Sequence, residues 1–327
     1  MANVPLNVLV LAVGSPLGQS IVKALQTSRL QPCIYVADID DLAAGFYLPG
    51  VHPVILPLVK DSAYFECLTA YIEKHDIRAI FPVIGFEHEF FTEHAEHFRS
   101  AGVEILTSAP SVYQLCNDKY KSMMHLRSMG LDAPDTTLCR DDEEVEQFLE
   151  RNVFPVFVKP RSAASSVDIF KVRNRDQLFG ILRAFPRDYF VAQAFLDDMR
   201  DFTAGVYISR DRSFYGTLLI ERELKFGLSY RGTVFEDDAL SDYCLKVAEA
   251  ISSYYSINVQ FKIIEGRPYA YEINPRLSST TSVRAYFGFN EPDMILHELQ
   301  GKLGGYIMTK RYGRFTRYWQ EHYLEGL

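Results

Sequence analysis

Three side chains with oxygen donors, Gln260, Glu272 and Asn274, stand in two short segments, Asn258-Val-Gln-Phe and Tyr271-Glu-Ile-Asn-Pro-Arg276. Both segments read as strands, and the turn residues Glu265 and Gly266 between them predict an antiparallel hairpin. Alternation along the second strand puts Glu272 and Asn274 on one face, and pairing brings Gln260 alongside them. Converging oxygens suit Mg²⁺, which keeps water and phosphate oxygens in its remaining positions and needs few protein ligands; Mn²⁺ is the alternative ion. Arg276, two residues on, projects from the same face toward such phosphates. Lys159 closes an apolar run just before Pro160. There an ammonium can point into a phosphate cleft while the proline ends the strand ladder. The plain alternatives are a polar, solvent-facing strand and an exposed lysine.

These groups need a scaffold. The first 110 residues alternate strands, at 8–13, 33–37, 52–58 and 79–84, with helices at 19–30, 64–75 and 87–99. That alternation predicts a parallel sheet covered on both faces, with ligands gathering at the carboxyl ends of its strands. Residues 111–129 read as one helix, stopped by Gly130 to Pro134. Beyond it the pattern is α+β. Short strands are expected at 156–159, 169–172, 190–193, 203–209, 213–221, 258–264 and 267–273, with helices at 141–151 and 238–255.

Composition narrows the function. A chain of 327 residues holds two or three compact units, and 48% hydrophobic with 23% charged residues is globular in balance. A net charge of −8 gives no drive toward nucleic acid, and no run of about 20 apolar residues points to a membrane. Five widely spaced cysteines, an odd number, argue against a disulfide framework or a zinc site. The amino terminus lacks the basic region of a signal peptide. A cytoplasmic protein is expected.

The paired NVQF and EINPR segments resemble the ATP-grasp superfamily, most closely one half of a carbamoyl-phosphate-synthase-type enzyme. The resemblance runs from Val8 to residue 305. It implies a Rossmann-like α/β domain over residues 1–112, then an α+β ATP-grasp fold whose small lid spans 113–192 and whose ATP- and metal-binding part spans 193–327. ATP would lie between the two α+β parts. The resemblance implies Gln260, Glu272 and Asn274 as Mg²⁺ ligands and Arg276, Lys159 and Lys119 as phosphate contacts. Residues 161–166 stand where the family carries a glycine-rich phosphate flap; here alanines and serines replace the glycines, leaving Ser162, Ser165 and Ser166 to bond phosphate oxygens. Gln193 to Leu196 resembles the hinge whose backbone binds adenine, through Phe195 and Leu196, since Ala194 stands where an acidic residue is common. Asp201 matches a ribose contact. Lys225 and Arg231, in a polar loop after Glu221, are candidates for the triphosphate or the substrate, and Gly14, Ser15 and Glu87 for a substrate pocket in the first domain.

The implied activity is an ATP-dependent ligase that activates a small carboxylate as an acyl phosphate for attack by an amine, releasing ADP and phosphate. A catalytically weak ATP-binding regulatory protein and an ATP-grasp enzyme with a non-amine acceptor are the alternatives. Full carbamoyl-phosphate synthesis needs two such halves and an ammonia source, more than this length holds. The aromatic and basic tail from Lys310 to Trp319 is expected to pack on the ATP-binding part; docking of a second copy into a homodimer is the other use for it.

Two further motifs lead elsewhere. Gly14-Ser-Pro-Leu-Gly18 with Asp38 twenty residues on suggests a dinucleotide site, but the G-x-G-x-x-G spacing is missing. The stretch from Glu87 to His97 mixes acids and histidines without the i, i+4 histidine pair of a zinc helix, and reads as a solvated face.

Overall fold

The computed structural model describes residues 6–162 and 168–324. Its first sheet contains β1 (Asn7–Val10), β2 (Cys33–Asp38), β3 (Val51–Ile55), β4 (Ala79–Phe81) and β5 (Glu104–Ile105), in the order β3-β2-β1-β4-β5 and parallel throughout. Central β1 and β4 are almost wholly buried, as strands covered on both faces must be. Helices α1 (Pro16–Leu25), α2 (Tyr64–Lys74), α3 (Gly85–Glu93) and α4 (Ala95–Ser100) supply the cover. The helix expected over 87–99 divides at His94, whose φ of −107° and ψ of 17° are not helical. Ser15 caps α1, accepting from the Gly18 N–H at 3.1 Å. Gly18 must be glycine because a Cβ there would lie 2.6 Å from the Ala12 carbonyl oxygen.

The helix expected over 111–129 is also two, α5 (Pro110–Asn117) and α6 (Lys119–Ser128). Asp118 between them is extended, and its carboxylate caps the N–H groups of Tyr120 and Lys121, each at 3.1 Å. Local side-chain capping thus beats helix continuation. The second sheet orders β6 (Thr136–Leu138), β9 (Phe190–Ala194), β7 (Val156–Pro160) and β8 (Phe170–Val172), all antiparallel. Helices α7 (Asp142–Arg151) and α8 (Arg175–Ala184) close its core through Val145, Phe148, Leu178 and Leu182.

The third sheet runs β14 (Arg267–Asn274), β13 (Tyr255–Ile264), β10 (Asp201–Ile208), β11 (Tyr215–Lys225), β12 (Leu228–Phe235) and β15 (Gly313–Thr316), again antiparallel. What the sequence presents as a polar loop after Glu221 is the end of β11 and a hairpin into β12; polar residues here mark an exposed strand end, not a break. The carboxyl-terminal tail enters the sheet as β15. One face packs on α9 (Asp238–Ala250) and on Val112, Cys116, Met123 and Leu126 of α5 and α6. The other shares a core with the first sheet, where Val8, Val10 and Ile21 meet Tyr207, Leu218, Phe289 and Met294 beside α10 (Thr281–Tyr286) and α11 (Glu291–Leu299).

Under that second face lies a fully buried ion pair, Arg284 with Glu291. Arg284 also donates to Ser278 at 2.8 Å and Thr280 at 2.7 Å, tying down the loop that follows Arg276. Gly205 makes room for it: a Cβ there would stand 2.3 Å from the Arg284 Nε. Gly205→Ala is therefore expected to cost about 3 kcal/mol in urea unfolding, the scale of breaking a buried ion pair by displacing one partner. A change below about 0.5 kcal/mol, typical of surface substitutions, would mean the arginine can step aside.

Candidate active site

On β10, Asp201, Thr203, Gly205 and Tyr207 share a face. Arg284 lies under Gly205 and Glu298 of α11 meets Tyr207, whereas Asp201 and Thr203 sit at the other end of the strand. Pairing sets Arg222 of β11 opposite Asp201, and Gln260 of β13 opposite both Thr203 and Glu272. A register shift follows: Gln260 faces Glu272 but Phe261 faces Ala270, so Tyr271 is an extra residue in β14. Such a bulge re-aims side chains. Here it turns the Tyr271 hydroxyl onto the same face, 3.0 Å from both oxygens of Asp201.

The three expected oxygen ligands do converge. Glu272 Oε1 accepts from the Asn274 amide at 3.0 Å and from the Gln260 amide at 3.3 Å. The Gln260 carbonyl oxygen accepts in turn from Arg222 at 2.7 Å, and Arg222 also donates to Asp201 at 3.0 Å. Among the described residues no three His, Cys, Asp or Glu side chains cluster as a metal site. A divalent ion held here would rest on one carboxylate, two amide oxygens and the phosphates of its ligand. That hard, oxygen-only, weakly charged set fits Mg²⁺ bound with a nucleotide.

Cations surround Glu272. Lys159, at the end of β7, reaches across from the second sheet and donates to the Tyr271 carbonyl oxygen at 3.2 Å. Burial pulls Lys159 down to about 8; Glu272 opposes the shift and Lys119 adds to it. Lys119, at the start of α6, is also lowered by burial, against the pull of Glu272 and Asp118. Burial resists ionising Glu272, yet Lys159, the Asn274 amide and Lys119 outweigh it and hold the carboxyl below its usual range. Arg276 interacts with Glu272, with Tyr113 of α5 and with His88 of α3 in the first domain. Burial, reinforced by that guanidinium, pushes His88 down to about 3. The His88 ring stacks on Tyr113 with centroids 4.8 Å apart, and its buried Nε2 has no hydrogen-bond partner among the described residues.

The remaining candidates divide. Arg161 is anchored by two bonds to Asp118, at 3.0 and 2.7 Å; Ser162 beside it is exposed, while Ser165 and Ser166 lie outside the described residues. Gln193 is spent within the second sheet: β9 is paired on both sides, and its side-chain amide donates to Thr136 at 3.0 Å. Phe195 and Leu196 follow half-buried, with the Phe195 ring 5.3 Å from Phe157 and Lys171 above it at 3.8 Å. Asp201 joins the cluster. Lys225 stays at the hairpin tip over Tyr230, and Arg231 pairs with Glu223 on the face opposite Arg222. Among the described residues no hydrogen bond or ion pair ties either to Glu272, because strand alternation turns Arg231 away. Ser15 caps α1, while Gly14 N–H donates to Asp38 at 2.7 Å.

Arg222, Tyr271 and His88 escaped sequence reasoning. Arg222 lies one residue beyond the expected end of its strand, and alternation would have found it had the strand been extended. Tyr271 needs the bulge. His88 and Glu87 belong to the stretch read as solvated, but both are buried, because α3 packs its first turn inward.

Comparison with known proteins agrees with this architecture. A family model described as "PylC-like, N-terminal domain" matches residues 8–106, a RimK-like ATP-grasp domain matches 116–265, and "ATP-grasp in the biosynthetic pathway with Ter operon" matches 216–319. The chain is 23% identical over 252 residues to the carbamoyl phosphate synthase large chain of Thermoplasma acidophilum, covering 69% of itself and 24% of that protein. It is 23% identical over 193 residues to a D-alanine–D-alanine ligase of Neisseria meningitidis, covering 53% of itself and 62% of the ligase. The chain thus spans less than two thirds of these relatives. Among solved structures, N5-carboxyaminoimidazole ribonucleotide synthetase from Thermus thermophilus superposes with a TM-score of 0.72 at 15% identity, over 90% of this chain and 78% of that one. Three sheets in this order, with the matched models covering them in turn, make the chain a member of the ATP-grasp superfamily, a PylC-like N-terminal domain followed by the ATP-grasp fold.

Proposed function

We propose that this protein is an ATP-dependent carboxylate–amine ligase. One observation carries the reading: Glu272, flanked by Gln260 and Asn274, sits among Lys159, Lys119 and Arg276, contributed by both α+β sheets and the helices before them. Lys159, Lys119 and Arg276 would hold the transferring phosphoryl group. Phe195, Leu196 and Asp201 would bound the base and ribose, taking residues 113–192 as the lid. Mg²⁺ bound by Gln260, Glu272 and Asn274 would neutralise the charge of the β and γ phosphates. The carboxylate oxygen attacks the γ-phosphorus and the bond from that phosphorus to the ADP oxygen breaks; the amine nitrogen then attacks the acyl carbon, expelling phosphate and giving up a proton, so that an amide is left. Fixed cations in a buried cleft perform this by electrostatics and positioning, without a protein nucleophile. Five free thiols suit a reducing, cytoplasmic setting.

ADP release across pooled small carboxylates and amines, with mass spectrometry of the products, tests the reading. It is expected to require Mg²⁺, an acid and an amine together, and to give a product whose mass is their sum less water. The Ala and Ser flap favours one competing reading, a regulatory nucleotide binder. Calorimetric ATP binding without turnover on any pool would establish that instead, and a product lacking nitrogen from the amine would indicate another acceptor.

A further inference from the structure

A cavity of about 280 Å³ opens in the first domain at the carboxyl ends of β1 to β4. The chain passes from β1 to β2 and β3 on one side and returns to β4 on the other, so this is the switch point where open α/β sheets bind ligands. Its walls are apolar: Leu11, Leu56, Leu58, Tyr64, Ile84 and Phe86. Its mouth keeps Leu58 and Phe86 more than half exposed, at 61% and 51%, an arrangement that costs free energy unless something covers it.

Two carboxylates line this apolar space, Asp38 at the end of β2 and Glu87 in the first turn of α3. Glu87 is 3% exposed. One of its oxygens accepts from the N–H groups of Val83 at 2.5 Å and Ile84 at 3.0 Å; the other has no hydrogen bond among the described residues. Burial, opposed by those two N–H groups and assisted by Asp38, raises its carboxyl to about 7. Lys60 is the cation of the lining, and it lies over the Phe86 ring at 4.2 Å.

The next residue, His88, faces Arg276. The first turn of α3 therefore separates two unlike environments, a cationic cleft suited to phosphate and carboxylate and an apolar crevice with acidic groups. The geometry points to this crevice as the seat of the amine substrate, its apolar body against Leu56, Leu58 and Phe86 and its ammonium turned to Asp38 and Glu87. Resting on the ligase reading, it adds the substrate class: amines with an aliphatic or aromatic body, not ammonia or a polar amino acid. The volume lies at the small end of ligand sites, which start at roughly 300 Å³, so the body is small.

Calorimetry on the whole chain decides the matter, using isoamylamine and phenethylamine against the shape-matched acids isocaproate and 3-phenylpropionate, each with and without a non-hydrolysable ATP analogue and Mg²⁺. Amines are expected to bind at least about tenfold more tightly than the acids, and Leu58→Ala and Phe86→Ala to weaken them by about tenfold, the scale of an apolar-pocket contact. Both altered side chains are exposed, so folding and affinity for the ATP analogue should be unchanged. Acids binding as well as amines, no binding of either, or variants that bind amines like the parent would each overturn the assignment. Failure of the parent to bind the ATP analogue while amines still bind would instead sink the ligase reading and leave the crevice standing.

Discussion

Glu272→Gln is expected to lower ADP release at saturating ATP by about a hundredfold or more and to raise the Mg²⁺ concentration needed for half-maximal rate. The substitution keeps the side chain's size and removes the single carboxylate of the proposed metal set. Loss of one preorganised electrostatic partner at a reacting centre costs on the order of 10²–10³ in rate. Lys159, Lys119, Arg222 and Arg276 act on Glu272, and all are positive. The variant leaves these cations uncompensated, which costs stability. Because its folded pKa is depressed, Glu272 contributes stability above its unfolded value, near 4.5, and loses it as pH falls through the lower folded value. A modest drop in melting temperature at neutral pH is expected. Solvent still reaches part of the side chain, which keeps that drop small. ADP release over a Mg²⁺ series, with melting measured in parallel, gives the answer. Full rate at limiting Mg²⁺ would remove Glu272 from the metal site. A large melting loss with unchanged nucleotide handling would make this strand structural.

Legibility in the sequence followed how locally each feature is determined. Elements announced by their own residues, such as the buried run of β1 and the hairpin of β13 and β14, were readable because burial and turn chemistry are written within a few positions. The convergence of Gln260, Glu272 and Asn274 follows from alternation and pairing alone. Features set by a partner were not readable. β15 is a strand because β12 offers it an edge, and three-residue β6 because β9 does. Tyr271 reaches the site through a register shift that no residue type signals, and Arg222 is fixed there by Asp201 and Gln260, both distant in sequence. Lys119 and Lys159 were recognisable as charges; that both would be buried beside one carboxylate depends on how the two sheets close on each other.

That burial leads to an opposite pair of effects from one substitution. Lys159→Met should make the unliganded fold more stable at neutral pH while weakening ATP binding at least about a hundredfold. Lys159 is 5% exposed, and its ammonium is held in the fold by the Tyr271 carbonyl, the face of the Tyr271 ring and the attraction of Glu272, against desolvation and Lys119. A folded pKa of about 8 against an unfolded value of 10.5 means that the charged form resists folding. The corresponding penalty is up to about 3 kcal/mol, full below pH 8. Between pH 8 and 10.5 the unfolded chain holds the proton that the folded chain has released, so the parent gains stability as pH rises through that window. Methionine has the volume and flexibility to fill the same channel without a charge. Its advantage in urea unfolding should therefore be largest near pH 7 and shrink toward pH 10.5. ATP affinity of the parent should fall as pH climbs past 8, where the unliganded ammonium is lost, and the variant should show no such step. A variant less stable than the parent at pH 7 would mean that the ion pair with Glu272 outweighs desolvation. A variant that binds ATP as tightly as the parent would take Lys159 out of the phosphate cleft.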